Sequence, residues 1–217
     1  MPLSQNSKVK IFTAFILFIA VLLCWFYFSQ TEKLNNFALV PLRVTIPEGY
    51  DLKDIAGKFK VFKNFDVNNF LSLASKSEGR LFPDTYFLTG TEDETDIIKI
   101  MRDNFYKKIG KIDDDILIMA SILEREAKTK EDMEIISGIL WKRIKVGMPL
   151  QVDSVPETYS YKGFPPAPIC NPGLKAINAA KNPVESPYWY YLSDKKGNIH
   201  YAKTLDEQNA NKAKYLR

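Results

Sequence analysis

The sequence predicts an α+β fold attached to a single N-terminal transmembrane helix. Residues 11–28 carry no charged side chain, and eighteen residues at about 1.5 Å each reach roughly 27 Å, close to the thickness of a bilayer's hydrocarbon core. Beyond them, amphipathic helical patterns are joined by a few short β segments. With 46% hydrophobic and 26% charged residues, the composition is that of a folded globular chain.

The charges around residues 11–28 predict how this segment is oriented. Lys8 and Lys10 precede it and no acidic residue does, so the positive-inside rule places residues 1–10 in the cytoplasm. A cleaved signal peptide is the alternative, but its apolar core is usually only about 7–15 residues long and ends in small residues. Here the segment ends in four aromatic residues, 25–28. We therefore expect an uncleaved, single-pass anchor in the cytoplasmic membrane, with the remaining chain on its outer face, the periplasm or cell-wall side.

The composition of that remaining chain argues against several classes of function. Lys8 and Lys10 are two of the 30 basic residues, so the other basic residues nearly balance the 26 acidic ones and leave no basic footprint for nucleic acid. The single histidine, His200, makes no metal site, and there is no glycine-rich phosphate loop. Cys24 falls in the predicted anchor, away from Cys170, so no intrachain disulfide is expected. We expect neither a metal nor a cofactor.

The chain beyond the anchor is predicted to contain a linker, a small module and a larger domain. Residues 29–42 form the linker, residues 43–76 show one strand and two short helices, and residues 77–217 form the larger domain. That larger domain is predicted to contain three helices, a hairpin and a terminal helix, over residues 91–107, 114–128, 130–146, 188–202 and from about 205 onward.

Two glutamates at the end of one predicted helix are the candidate catalytic acids. Glu124 and Glu126 lie on either side of an apolar helical stripe centred on Ile116, Leu123 and Ala127. A helical side chain leans over the residues three and four positions earlier, which are apolar and larger for Glu126 than for Glu124. An apolar setting favours a protonated carboxyl group, as a general acid requires. These neighbours favour Glu126 slightly, with Glu124 as the runner-up.

An ordinary surface role explains both glutamates equally well. Lys128 follows Glu124 by four residues and Lys130 follows Glu126 by four, and such pairs stabilise exposed helices. Most helical glutamates are solvated surface residues. The helical pattern alone therefore favours the surface interpretation.

Five motifs follow one another along the chain beyond the predicted anchor. They are Glu78-Gly79 with Phe82-Pro83-Asp84-Thr85-Tyr86; Ala120-Ser121-Ile122-Leu123-Glu124-Arg125-Glu126; Arg143 with Gly147-Met148 and Leu150-Gln151-Val152-Asp153; Gly163-Phe164-Pro165-Pro166-Ala167-Pro168-Ile169 with Asn171-Pro172-Gly173; and His200-Tyr201 at the end of the hairpin. Each motif is weak alone, whereas their order and spacing are specific. In these motifs the chain resembles the endolytic murein transglycosylases, which are membrane-anchored lyases of the bacterial cell wall. The resemblance extends from about Arg43 to the C-terminus.

The resemblance implies a site and a fold. The family's catalytic acid matches Glu126, the second glutamate of a Glu-x-Glu pattern. The expected substrate-binding residues are Gln151, Asp153, Thr158, Tyr159 and His200. Residues 43–76 are implied to be a LysM-like module and residues 77–217 a mixed α/β catalytic domain that ends in the hairpin and helix. No metal or cofactor is implied.

The implied reaction requires one carboxyl group. A general acid protonates the oxygen between N-acetylmuramic acid and N-acetylglucosamine, and the muramic acid's own C6 hydroxyl closes onto C1 to give a 1,6-anhydro end. The implied partners are peptidoglycan glycan strands and cell-wall synthases, the penicillin-binding proteins.

This chain departs from the family pattern in the segment after Asp153. Only three residues separate Asp153 from Glu157-Thr158-Tyr159, where relatives carry a longer segment and an asparagine in place of Glu157. A second hypothesis is therefore a weakly active or inactive peptidoglycan-binding scaffold for synthases. A third is a receptor-like ectodomain with another ligand, which the series of motifs disfavours.

Overall fold

The computed structural model describes residues 17–27 and 41–216, and the chain divides into two compact units, Met1–Pro41 and Leu42–Arg217. In the first unit, residues 17–27 form a helix, α1, whose large apolar side chains are exposed. The other residues of the predicted anchor lie outside the described ranges. Within those ranges, no helix is long and apolar enough to cross a membrane.

The second unit is a mixed α+β structure, as the sequence predicts. Its elements are β1 (Leu42–Thr45), α2 (Leu52–Phe59), α3 (Val67–Ala74), β2 (Thr85–Leu88), α4 (Glu94–Ile109), α5 (Asp114–Glu126), α6 (Lys130–Lys145), a 3₁₀ turn (Pro156–Tyr159), α7 (Leu174–Lys181), β3 (Tyr190–Ser193), β4 (Ile199–Ala202) and α8 (Leu205–Tyr215).

The first part of this unit is a βααβ arrangement. β1 pairs antiparallel with β2, from Leu42 opposite Leu88 to Thr45 opposite Thr85. Asp51 caps α2 and Asp66 caps α3, each through a hydrogen bond from the backbone amide three residues later. One apolar core contains side chains of α2 and α3 together with others from β2 and α4. The sequence places the end of the small module at residue 76, but this structural unit continues beyond it. The reason is that β2 pairs with β1 and that β2 and α4 complete the core.

Helix α5 is the centre of the second apolar core. All seven residues 117–123 are buried, so this part of the helix is covered on every side instead of along one stripe. Helices α6 and α7 contribute to the same core, as do Phe82 and Phe105 from the preceding part of the unit. Ile116, predicted at the centre of the buried stripe, is only partly buried. The helix emerges from the core at its last turn, which carries Glu124 and Glu126.

The predicted C-terminal hairpin is formed by β3 and β4, with Tyr191 opposite Tyr201. Helix α8 supports both strands from behind. The side-chain amide of Gln208 donates to the Tyr191 carbonyl at 2.9 Å, and that of Asn211 donates to the Tyr201 carbonyl at 3.3 Å. The hairpin is therefore held in place by the last helix.

Two helical glycines are expected to respond in opposite directions to alanine. A Cβ on Gly138 in α6 would lie 2.0 Å from the Val184 carbonyl oxygen, whereas a Cβ on Gly57 in α2 meets nothing within 4 Å. Gly138→Ala is therefore expected to lower the free energy of unfolding by about 1–3 kcal/mol. Gly57→Ala is expected to raise it by up to about 1 kcal/mol, because alanine has the higher helix propensity. Urea denaturation of both variants measures the two free energies of unfolding. Equal changes in the two variants would contradict the close contact between position 138 and the Val184 carbonyl.

Candidate active site

Glu126, the last residue of α5, has both carboxylate oxygens fixed by hydrogen bonds. Oε1 accepts from the backbone amide of Ser154 at 3.2 Å, and Oε2 accepts from the Tyr191 hydroxyl at 3.1 Å. The side chain is partly buried. Its setting is therefore polar and oriented, in contrast to the apolar setting that its helical neighbours predict, because two segments remote in sequence supply the donors.

The loop that supplies the Ser154 amide is closed by Thr158. The Thr158 hydroxyl accepts from the Val152 amide at 3.1 Å and donates to the Val155 carbonyl at 2.6 Å, and the residue is 0% exposed. Thr158 is thus committed to the loop and does not face a groove, although the sequence suggests that it contacts substrate. At the start of the loop, Gln151 adopts a left-handed φ of 51°, which is uncommon for a residue other than glycine.

Two adjoining cavities meet at Glu126. One has a volume of about 670 Å³, the other about 470 Å³, and both are lined by Glu126, Asp153 and Ser193. We name the first the basic cavity after four residues, Arg125, Lys128, Lys195 and Lys196, which line it together with the carboxylates of Glu124, Glu126, Asp153 and Asp194. We name the second the tyrosine cavity, because Tyr159, Tyr190 and Tyr191 contribute to its lining. A carboxyl group at this junction can reach the middle of a bound polymer.

Three of the expected substrate-binding residues line the tyrosine cavity beside Glu126. These are Gln151, Asp153 and Tyr159. The exposed carboxylate of Asp153 accepts from the Tyr159 hydroxyl at 2.7 Å. Burial and this hydrogen bond raise the pKa of Tyr159 to about 12, so its hydroxyl remains a donor at neutral pH.

His200 lies outside both cavities. Its Nε2 is 3.1 Å from Oδ2 of Asp194, and its ring stacks on Tyr215 of α8 with centroids 3.5 Å apart. The lining residues of the two cavities do not include it. His200 therefore contacts the hairpin turn through Asp194 and packs against the last helix through Tyr215.

Glu124 has a different environment from Glu126. Its Oε2 accepts from the Gly173 amide at 2.8 Å, and its Cγ lies 3.4 Å from a Cβ built on Gly49. Burial raises the pKa of Glu124, and the nearby Glu48 carboxylate adds to the effect. Glu124 thus links the end of α5 to two turns, although it also lines the basic cavity.

Neither glutamate makes the helix ion pair that a surface role predicts. Glu124 binds Gly173 and Glu126 binds Ser154 and Tyr191, while Lys130 pairs with Glu134 at 2.9 Å. The reason is that α5 ends at Glu126, so Lys128 and Lys130 do not continue its helical surface. The surface interpretation of the two glutamates is therefore wrong.

Arg143 and Tyr191 shape the site, although the sequence indicates Arg143 only as part of a motif and does not indicate Tyr191. Arg143 is 3% exposed, and its guanidinium donates to the carbonyls of Trp189, which precedes β3, and Leu150, which precedes the loop. It thereby joins two walls of the tyrosine cavity. The alternation of the hairpin strands could have indicated that Tyr191 shares a face with Tyr201, but its contact with Glu126 depends on packing between remote segments.

Comparison with known proteins identifies the class to which these features correspond. The endolytic murein transglycosylase of Bacillus subtilis is 29% identical over 246 aligned residues, covering 85% of this chain and 68% of that protein. The protein of the same name from Streptococcus pneumoniae is 25% identical over 244 residues, covering 80% of this chain. This chain spans only 44% of the streptococcal protein. The resemblance read from the motifs is thus confirmed.

The chain belongs to the YceG-like family, whose model matches residues 28–156 and 157–214. The crystal structure of a YceG-like protein from Listeria monocytogenes has the same fold, with a TM-score of 0.64 and 28% identity. That similarity covers 79% of this chain and 76% of the Listeria chain. The two matched segments meet between Pro156 and Glu157, within the segment that is short in this sequence.

Proposed function

We propose that this chain is an endolytic lytic transglycosylase that cleaves the bond between N-acetylmuramic acid and N-acetylglucosamine in nascent glycan strands. The observation that carries the proposal is the position of Glu126, with both oxygens fixed, at the junction of the two cavities. The family assignment and the names of the relatives support the substrate class. The open cavities on both sides suit cleavage within a strand.

Glu126 acts first as the general acid. Its carboxyl proton passes to the glycosidic oxygen as the bond from C1 of N-acetylmuramic acid to that oxygen breaks. The C6 hydroxyl oxygen of the same sugar then bonds to C1, and its proton passes to the Glu126 carboxylate. Because the nucleophile belongs to the substrate, proximity replaces a second catalytic carboxylate. Asp153, Tyr159 and Gln151 contribute polar contacts to the sugar in the tyrosine cavity.

Direct assay of the products tests the proposal. The full-length chain in detergent is incubated with purified glycan strands, and mass spectrometry detects the 1,6-anhydro-muramyl ends that a hydrolase would not produce. Reducing ends without anhydro ends would contradict the lyase mechanism. If the strands are bound but not cut, the alternative of a peptidoglycan-binding scaffold for synthases is correct. Restoration of cleavage by a longer segment before Glu157 would then identify the short segment as the cause.

The wider assignments are part of the same proposal. Residues 11–28 anchor the chain in the cytoplasmic membrane, with residues 1–10 in the cytoplasm; the exposed apolar side chains of α1 support this. The βααβ part is LysM-like and helps to hold glycan. Cell-wall synthases that produce the nascent strands are the proposed protein partners.

Tyr191 is expected to position Glu126 for this reaction. Tyr191→Phe removes one donor to the carboxylate and is expected to lower kcat about tenfold, the effect of one hydrogen bond. The rate of anhydro-end formation at saturating substrate measures this loss.

Tyr201→Phe is the matched control for Tyr191→Phe. Tyr201 is the cross-strand neighbour of Tyr191, and its hydroxyl also donates to a carboxylate, that of Asp132 at 2.6 Å. Its removal is expected to lower the melting temperature with little change in kcat, because Asp132 lines neither cavity. Equal losses of kcat in the two variants would show that Tyr191 contributes only to stability.

A further inference from the structure

The basic cavity contains two cations that have no anionic partner among the residues that the structure describes. The ammonium groups of Lys128 and Lys196 make no ion pair or hydrogen bond with any residue of the described ranges, 17–27 and 41–216. Both residues are exposed. They come from separate segments, since Lys128 follows α5 and Lys196 belongs to the β3–β4 turn.

Lys128 reaches the hairpin turn. Its Nζ lies 3.3 Å from a Cβ built on Gly197, the residue next to Lys196. Two elements thus bring positive charge to one end of the groove. Like charges that share a cavity repel, and an anion bound between them would reduce that repulsion.

Each of the four carboxylates that line this cavity accepts a hydrogen bond within the protein, and that of Asp153 accepts from the Tyr159 hydroxyl at 2.7 Å. Asp194 accepts from the amides of Lys196 and Asn198 at 2.8 and 2.9 Å, from the Asn198 side chain and from His200. These hydrogen bonds lower the pKa of Asp194 and keep its charge within the turn. Glu124 is bound to Gly173, and Glu126 to Ser154 and Tyr191. Lys128 and Lys196 are therefore available to a ligand.

We propose that Lys128 and Lys196 form an anion subsite that binds carboxylates of the peptide stems carried by the glycan. The inference rests on the proposed function, because it assigns the substrate of the same groove. The glycan crosses the junction at Glu126, and the stem of an N-acetylmuramic acid in the basic cavity reaches Lys128 and Lys196. The chain consequently prefers peptide-bearing strands to bare glycan.

Binding measured without turnover tests this subsite. The full-length Glu126→Gln variant, in detergent, is titrated with glycan strands that carry stems and with the same strands after amidase treatment. We expect about fivefold tighter binding to the strands with stems, as for two exposed ion pairs, and a preference that declines with added salt. Strands whose stem carboxylates have been converted to amides are expected to bind like bare glycan.

A double substitution assigns the preference to the two lysines. Lys128→Gln with Lys196→Gln, in the Glu126→Gln chain, is expected to abolish the preference. Lys107→Gln with Lys111→Gln is the control, because these lysines are exposed and line neither cavity. A preference that survives the first pair, or equal binding of stem-bearing and bare strands by the starting variant, overturns the subsite. Absence of anhydro ends with the native chain would instead contradict the proposed function. The two failures are distinguishable, because the binding measurement uses the Glu126→Gln chain and requires no turnover.

Discussion

Glu126→Gln is expected to lower the rate of 1,6-anhydro end formation by about 10²- to 10⁴-fold, the usual contribution of a general acid. The substitution retains the shape of the side chain but removes its transferable proton. The glutamine carbonyl can accept from the Ser154 amide, and its amino group can donate to the Tyr191 hydroxyl oxygen, so both fixed contacts persist. A melting temperature close to that of the native chain would show that the fold is intact.

Glu124→Gln is the matched comparison for Glu126→Gln. Glutamine can still accept from the Gly173 amide, and it removes a carboxyl group that is costly to ionise. We therefore expect a loss of less than about tenfold, well below the contribution of a general acid. If Glu124→Gln abolishes the anhydro ends and Glu126→Gln retains them, the runner-up is the catalytic acid.

The free energy of unfolding is expected to fall as the pH rises from 4.5 to above 7, by roughly 3 kcal/mol from Glu78 alone. Burial is the main cause that raises the pKa of Glu78 from 4.5 to about 7. Hydrogen bonds from the Leu52 amide at 3.1 Å and the Asn171 side chain at 2.8 Å oppose this effect. Between these two pH values the folded state binds more protons than the unfolded state, so stability falls with increasing pH.

Urea denaturation between pH 4.5 and 8 measures the effect of Glu78. Glu78→Gln is expected to flatten the profile, because it removes the titrating group, and to lower stability at pH 5, because its amino group faces a donor at Leu52 or Asn171. Glu124, whose pKa is also raised, contributes with the same sign. A native profile that rises across this pH range would contradict the assignment.

Local signals in the sequence predicted much of the fold. Asp51 and Asp66 cap helices, Thr129 opens α6, and the hairpin forms across residues 194–198. Each depends on nearby residues, such as a capping side chain or a polar turn between alternating strands. The burial of α5 on every side was missed, because helical periodicity does not reveal how many neighbours cover a helix.

The site was less predictable because its contacts join remote segments. Sequence patterns indicated Glu126, Gln151, Asp153 and Tyr159, which the structure brings to the same groove. No local pattern could indicate that the Ser154 amide and the Tyr191 hydroxyl bind Glu126, since they lie 28 and 65 residues away along the chain. The packing of His200 on Tyr215 likewise depends on a helix that follows the hairpin.

The closed loop after Gln151 also defines where this groove can change length. Ser154, which touches the acid, precedes the point between Pro156 and Glu157 where the family match is divided, and Thr158, which closes the loop, follows it. Extra residues inserted at that point would interrupt the 3₁₀ turn and extend the tip, whereas the Ser154 contact to Glu126 and the Thr158 bond to the Val152 amide lie at its base. The tip is therefore the place where the longer segment of a relative could be inserted to change the substrate range while the Ser154 contact to Glu126 is kept.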